Sequence, residues 1–344
     1  MMKKAIRLSL ISAALLLLLG AGVPVRALAD SNADVPASSE SSDSANADSG
    51  QAVQTKALSK PYVVYGSGLA SEDKDAVSKA LAVQSNYQSL TVTGSDYATY
   101  INSAGTSDAS MISSVSLAPA DPGTGVKVNI APYNGQNNIT QVTSQQYAMV
   151  ATMAGVKDVI ITVTADKTVS GESALTGVYK ALAADGLTLN QQNTQAANGI
   201  MDATQPAINQ NKGDKKYPGK LMAAVGNVSS DLAKQRQRDN QYATKEDIRQ
   251  MLDDALAKQG IQSQTPTNVV NNIVIALGNV QKAPVSGTSS YVDNAKQVAS
   301  NISNSVGNKM AQLRDFASNA DTSGIMGTLS RIWQAIVNFF SNLF

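Results

Sequence analysis

Ser71-Glu72-Asp73-Lys74 places a lysine one helical turn after a serine. In that S-x-x-K spacing the amine can take the proton of an acylating serine. The companion motifs S-D-N and K-T-G are incomplete. Ser95-Asp96-Tyr97 and Lys167-Thr168-Val169 stand in the right order but lack the last residue of each. Ser71 also precedes Glu72, Asp73 and Asp75, so it reads as the cap of an acidic first turn. Gly171-Glu172-Ser173-Ala174-Leu175 has the outline of a nucleophile elbow without its final glycine. The chain contains no His and no Cys. That excludes a Ser-His-Asp triad, an imidazole base, a thiolate nucleophile, His- or Cys-ligated metal and any disulfide.

Paired carboxylates need no histidine. Glu172, Asp158 and Asp166 are the candidates for glycoside hydrolysis. The aromatic platform that usually binds sugar is missing, because residues 61–190 have Tyr but neither Trp nor Phe. Ser170, Gly171 and Ser173 follow a strand and open a helix, where free amides and hydroxyls could hold an anion. Glu172, in their midst, opposes one. No P-loop, EF-hand loop or dinucleotide fingerprint occurs, so no cofactor and no metal is expected.

These residues must be held by the elements around them. Tyr62-Val63-Val64-Tyr65 reads as a strand, followed by a Gly66-Ser67-Gly68 turn and a helix capped by Ser71 that runs to Val83. Residues 90–93 form a short strand, and Ser95 caps a helix through Ile101. Residues 111–118 and 126–131 alternate apolar and polar about Asp121-Pro122-Gly123-Thr124-Gly125, which predicts a hairpin with Val126, Val128 and Ile130 on one face. Thr143-Ser144-Gln145-Gln146 is a capping box for a helix ending at Gly155. Val159-Ile160-Ile161-Thr162-Val163 predicts a central strand, and Ser170 opens a helix through Ala184. Tyr97-Ala98 before Ala104-Gly105 matches Tyr147-Ala148 before Ala154-Gly155 at an offset of 50 residues. The match is either chance or two copies of a helix–strand unit with Tyr and Ala facing the sheet. The fold class is α/β or α+β: a mixed sheet covered by helices over 61–190, then a mainly helical region over 191–320.

In the second half, helices are predicted over 191–209, 221–240, 245–258 after Thr244, from Thr265-Pro266 to Leu277, and 289–318. Residues 211–220 read as a loop. The charge is split, at net −4 over 61–190 and net +4 over 191–344. Lys212, Lys215, Lys216, Lys220, Lys234, Arg236 and Arg238 carry the basic excess. They form either a solvated face or a contact for anionic wall polymer or lipid headgroups. Nucleic acid is not an expected partner, because no base-stacking aromatics interleave these cations.

Residues 321–344 form an amphipathic C-terminal helix. Ile325, Leu329, Ile332, Trp333, Ile336, Val337, Phe340 and Leu343 share one face, and Arg331 is its only charge after residue 324. Trp333, Phe339, Phe340 and Phe344 crowd the last twelve residues. Three destinations suit such a helix: its own domain, a membrane surface, or a partner that includes a second copy of the chain. A transmembrane span would turn the polar stripe to lipid.

The other end carries an address. Lys3, Lys4 and Arg7 precede an apolar run over 8–19, and Ala27-Leu28-Ala29 supplies small residues for cleavage. Residues 1–29 are a secretory signal peptide. The mature chain would carry net −3. Residues 30–60, rich in Ser and Asp, form a disordered leader, either a wall spacer or a solvated extension. Without Cys there is no lipoprotein anchor, and no L-P-x-T-G sorting signal appears. Secretion, with association to a cell envelope of Gram-positive type, is the expected location.

Ile139-Thr140-Gln141-Val142-Thr143, Gln146-Tyr147-Ala148, Ala154-Gly155, Asp158-Val159 and the run from Ser170-Gly171-Glu172-Ser173 through Ala174-Leu175-Thr176-Gly177 resemble the YpuA-like family (DUF1002). Val64-Tyr65-Gly66 and Val178-Tyr179-Lys180-Ala181 are similar to it as well. The resemblance covers about residues 60 to 280. It implies export and a shared fold, and it supplies no catalytic or binding residues. The expectation is an exported, non-enzymatic envelope-associated or extracellular binding protein that uses its C-terminal helix as the contact. The alternative is a carboxylate- or Ser-Lys-dependent hydrolase of wall material.

Overall fold

Five short strands, each rich in β-branched or aromatic residues, form one mixed sheet: β1 (Tyr62–Gly66), β2 (Gln88–Val92), β3 (Ser114–Pro119), β4 (Val126–Ile130) and β5 (Val159–Thr164). A computed structural model describes residues 57–303 together with Ser305, Gly307 and Met310. The proposed signal peptide, most of the leader and the whole C-terminal helix of the sequence reading lie outside the described residues.

The strand order is β2–β1–β3–β5–β4. β1 runs parallel to β2, and β4 parallel to β5. β3 joins the two pairs, antiparallel to both β1 and β5. The hairpin expected about residues 121–125 does not form, because β5 inserts between β3 and β4. β5 is apolar on both faces apart from its threonines, and all six of its residues are buried. A strand of that kind gains most from two paired edges and two covered faces. The β3–β4 connection is pinned to the residue that precedes it: Asp158 Oδ1 accepts the Gly125 amide at 2.9 Å, and Asp158 O accepts the Ala120 amide.

Register sorts the sheet into two faces. On the first, Leu117, Ile161 and Val128 lie side by side, and Val115, Val163 and Ile130 form the adjoining row. Two helices cover this face: α3 (Ser144–Met153) against β4, and α4 (Glu172–Ala184) against β1 and β3. α4 approaches closely because residue 177 is glycine. A Cβ there would lie 2.8 Å from Val115 Cγ1. On the second face α1 (Lys74–Ala80) packs Val77 against Val63 and Tyr65.

Six more helices stack beyond the first face: α2 (Gly94–Ile101), α5 (Gln191–Gln210), α6 (Tyr217–Asp239), α7 (Lys245–Lys258), α8 (Thr267–Lys282) and α9 (Ser289–Ser303). A single apolar core runs from Val115 and Ile161 in the sheet to Leu252, Leu277 and Val298 in these helices. The fold is mixed α/β with a helical C-terminal region. The four large side chains that anchor its layers, Tyr147, Tyr179, Tyr217 and Tyr291, are fully buried phenols.

Capping accounts for several boundaries. Thr143 with Gln146 forms the expected box, and Thr244, the expected cap of α7, forms a second one with Asp247. α2 is capped by Thr93 with Asp96 instead of Ser95. Ser71 caps no helix. It opens a short 3-10 turn (Ser71–Asp73), and α1 starts at Lys74. α6 begins at Tyr217, four residues before the predicted start, since Pro218 is tolerated in a first turn. α8 continues past Leu277 to Lys282. α9 stops at Ser303, short of the predicted 318. Ser305 then caps back onto Ile302 O at 2.6 Å and is gripped by Gln145 Nε2 at 2.8 Å.

Candidate functional site

β5 ends at Thr164, and the chain crosses residues 165–170 before α4 begins. That connection is tied to the segment leading into α3. Thr140 and Val142 donate their amides to Val169 O and Ser170 O at 3.0 Å each. Gly171 then turns the chain at φ 108°. Only glycine suits this position. The dihedral is left-handed, and a Cβ would meet Tyr147 Oη at 2.6 Å and Ile139 Cγ2 at 2.8 Å. Tyr147, on α3, donates its hydroxyl to Gly171 O at 2.5 Å.

Glu172 stands at the first turn of α4, where the helix dipole favours an anion. Its Oε2 accepts from Tyr97 Oη at 3.0 Å and from Ser170 Oγ at 3.3 Å. Tyr97 comes from α2. Asp202, on α5, lies within the reach of the same charge. Its carboxyl is pushed up, first by burial and then by Glu172. Burial, then Glu172 and Asp202, push the Tyr97 phenol well above its ordinary value. Tyr147 is raised too, by burial first and by Glu172 second. Two turns along, Lys180 of α4 pairs with Asp96 of α2 at 2.7 Å. Burial alone would raise the Asp96 carboxyl, but Lys180 and the Thr93 hydroxyl and amide outweigh it and hold it low. α2 and α4 are thus tied by a phenol–carboxylate hydrogen bond and an ion pair, and Asp202 of α5 stands near Glu172 as a like charge.

The anion-binding expectation does not survive this geometry. Ser170 Oγ donates to Glu172 and accepts the Glu172 amide at 3.4 Å. Ser173 Oγ is given to Ser113 O at 2.8 Å, and the Ala174 amide to Ser113 Oγ at 2.9 Å. Hydroxyls and amides that would face a ligand are turned inward, and a carboxylate fills their centre.

The other candidates are scattered. Asp158 and Asp166 bracket β5 at opposite ends, roughly 25 Å apart along a strand of that length. Glycosidase carboxylates work at roughly 5–10 Å. Asp158 is spent on the Gly125 amide. Ser71 and Lys74 are both exposed. The Ser71 hydroxyl turns to Glu72 at 3.3 Å, and the Lys74 ammonium sits 4.7 Å above the Tyr65 ring. Among the described residues no group of three or more acidic side chains could hold a metal ion, and no helix is long and apolar enough to cross a membrane. Sequence reasoning missed Tyr97 as the hydrogen-bond partner of Glu172 and Asp202 as its like-charged neighbour. Nothing in their spacing joins residues 97, 172 and 202.

The basic residues also divide. Lys212, Lys215 and Lys216 are exposed at the turn into α6, while Lys234, Arg236 and Arg238 lie near its other end, about 25 Å away. Arg236 is structural. Its Nη1 donates to Gln281 O at 3.1 Å, Ala283 O at 3.0 Å and Ser286 Oγ at 2.7 Å, closing the end of α8. Arg238 pairs with Asp239 in solvent. Arg236→Ala should therefore cost about 1–2 kcal/mol, since it removes the charged donor from Gln281 O and Ala283 O and leaves them to Ser286. Arg238→Ala should leave the midpoint of urea unfolding unchanged. Equal midpoints for the two variants would refute this assignment.

A family model described as a protein of unknown function (DUF1002) matches residues 65–298, about two thirds of the chain. The chain belongs to the DUF1002 family. It is 29% identical over 230 residues to the uncharacterized protein YpuA of Bacillus subtilis (strain 168), an alignment covering 66% of this chain and 73% of YpuA. No solved structure matches the chain. The match includes Tyr97, Glu172 and Asp202. It stops before the aromatic C-terminal stretch and starts after the Ser-rich leader, so both lie outside the DUF1002 segment.

Proposed function

We propose that this DUF1002 chain is an exported, non-enzymatic binding protein, extracellular or associated with the cell envelope, whose C-terminal amphipathic helix contacts a membrane surface or a protein partner. The observation that carries the reading is the placing of the only Trp and three of the four Phe in the last twelve residues, beyond the family segment. A wide apolar face with aromatic rings suits the headgroup zone of a bilayer. The exposed Lys212, Lys215 and Lys216 offer a secondary contact for anionic wall polymer. Two of the pairs that a hydrolase could use count against it: Ser71 does not face Lys74, and Asp158 and Asp166 sit at opposite ends of β5.

Deletion of 324–344 tests this. The intact chain should partition into the membrane fraction, and the shortened one should move to the released fraction by about ten-fold or more. Unchanged partitioning would remove the contact role. Loss of a wall-degrading activity on Glu172→Gln would favour the hydrolase instead.

A further inference from the structure

The two edges of the sheet differ. β4, at one edge, is buried at every position, and its outward Val128 amide donates to Met310 Sδ at 3.1 Å. β2, at the other edge, leaves Gln88, Ser89 and Thr91 exposed and Leu90 half-buried. The Gln88 amide donates to Pro61 O and Val92 O accepts the Ser67 amide, each at 2.9 Å, so both residues bond toward β1. Alternation gives Leu90 the same direction and turns the amides and carbonyls of Ser89 and Thr91 outward. Among the described residues none bonds to these outward groups.

An open row of donors and acceptors is a template for another strand. Sheets blunt such a row with lysine, proline or a bulge. β2 has none of these, its register with β1 is continuous, and residues 80–95 carry no charge. The free groups are also symmetric about Leu90. A two-fold axis through Leu90 sets Ser89 opposite the second copy's Thr91, and Thr91 opposite the second copy's Ser89. Both are hydrogen-bonded pairs of the antiparallel ladder, so every free amide and carbonyl of the edge finds a partner. An axis moved to Ser89 would call on Tyr87, whose amide is committed to Gln84 O. An axis moved to Thr91 would call on Thr93, whose amide goes to Asp96 Oδ2 and whose carbonyl accepts the Tyr97 amide.

We infer that β2 is a self-association edge, at which a second copy of the chain pairs antiparallel about Leu90 and two five-stranded sheets become one of ten strands. A second copy suits this edge better than an unrelated extended peptide. The free groups complement themselves in a single register, an uncharged strand sets no like charges opposite each other, and one open edge per sheet closes the assembly at two chains. Leu90 meets its own copy at the axis, in the closer, non-hydrogen-bonded class of pair, which covers its half-exposed side chain. Only the five residues of β2 pair on each side, against roughly 20–30 a side in a standard interface, so the dimer dissociates on dilution. β2 lies inside the DUF1002 segment, and the inference goes beyond the tail contact proposed above without using it.

Sedimentation velocity on the full chain should show a reversible monomer–dimer equilibrium between about 10 and 500 μM. Ser89→Pro should weaken it about ten-fold or more with circular dichroism unchanged, because proline is tolerated where a strand amide faces solvent. A second variant reads the register. The chain has no Cys, so Leu90→Cys carries a sole thiol, and the distance of about 4.5 Å between the paired Cα atoms lies within disulfide reach. On mild oxidation it should form a disulfide-linked dimer about ten-fold or more faster than Gln88→Cys, whose two copies would stand about 14 Å apart. A chain that stays monomeric throughout that range overturns the inference. So does a dimer indifferent to Ser89→Pro, or equal cross-linking of the two thiols, either of which assigns self-association to another surface. No membrane is used, so this result and the partitioning of the 324–344 deletion can fail independently.

Discussion

Raising the pH from 9 to 12 should unfold the protein cooperatively, with most of the loss above pH 10. Tyr147, Tyr179 and Tyr291 are fully buried, with hydroxyls committed to Gly171 O, Asn198 Oδ1 and Ser229 Oγ. Burial raises all three phenols well above their ordinary value. In the unfolded chain they ionise near 10. The sign follows from proton counting: above pH 10 the unfolded chain binds fewer protons than the folded one, so stability falls as pH rises. Below pH 10 the contribution is fully present. Each phenol is worth about 1.4 kcal/mol per pH unit, so the three together remove about 4 kcal/mol per unit. A domain with roughly 5–15 kcal/mol in hand is exhausted within two or three units. Without His or Cys no side chain has an ordinary pKa between 5 and 8, so stability should be flat across neutral pH. Circular dichroism and phenolate absorbance followed together check this. A set of phenolates should appear only with the loss of helix. Smooth titration of every phenol near pH 10 in a folded chain would refute it.

Gly66→Ala should be among the most damaging single substitutions. Gly66 ends β1, paired with Val92 of β2. A Cβ there would stand 2.1 Å from Met111 O, 2.7 Å from Met111 C and 2.8 Å from Ile112 C. All three are backbone atoms, so no side chain can swing aside. The segment entering β3 must move instead, and Gly68 N, which donates to Met111 O at 2.8 Å, moves with it. The expected cost is about 3 kcal/mol or more. For a chain of this size that is a drop of roughly 6–12 °C in Tm. Gly105→Ala is the control. Its φ is +92°, but nothing lies within 4 Å of the added carbon, so only the dihedral penalty of about 1–2 kcal/mol remains. A Gly66→Ala variant as stable as Gly105→Ala would show that the β1–β3 approach is looser than described.

The two 50-residue units show how far pattern goes and where it stops. Both helices are followed by a glycine with positive φ, +92° at Gly105 and +99° at Gly155, and each leads to a strand beside the other, β3 and β5. The second helix lays Tyr147 and Ala148 into the sheet's core. The first turns Tyr97 away to Glu172 and packs on α4 and α5. The same dipeptide therefore serves two environments, because the neighbours that decide its use are 75 residues off in the sequence.

Residue type and short-range spacing by themselves determined the mixed sheet with its helices, the capping box at Thr143 and the cap at Thr244, the shared face of Val126, Val128 and Ile130, and membership of the DUF1002 family. These follow from backbone hydrogen bonding and side-chain periodicity, which act over a few residues. Only the tertiary structure decided that β5 divides β3 from β4, that Glu172 meets Tyr97 instead of an anion, and that the basic residues separate along α6. Such outcomes depend on which surfaces many residues apart come to share one interior, and a local pattern carries no term for that distance.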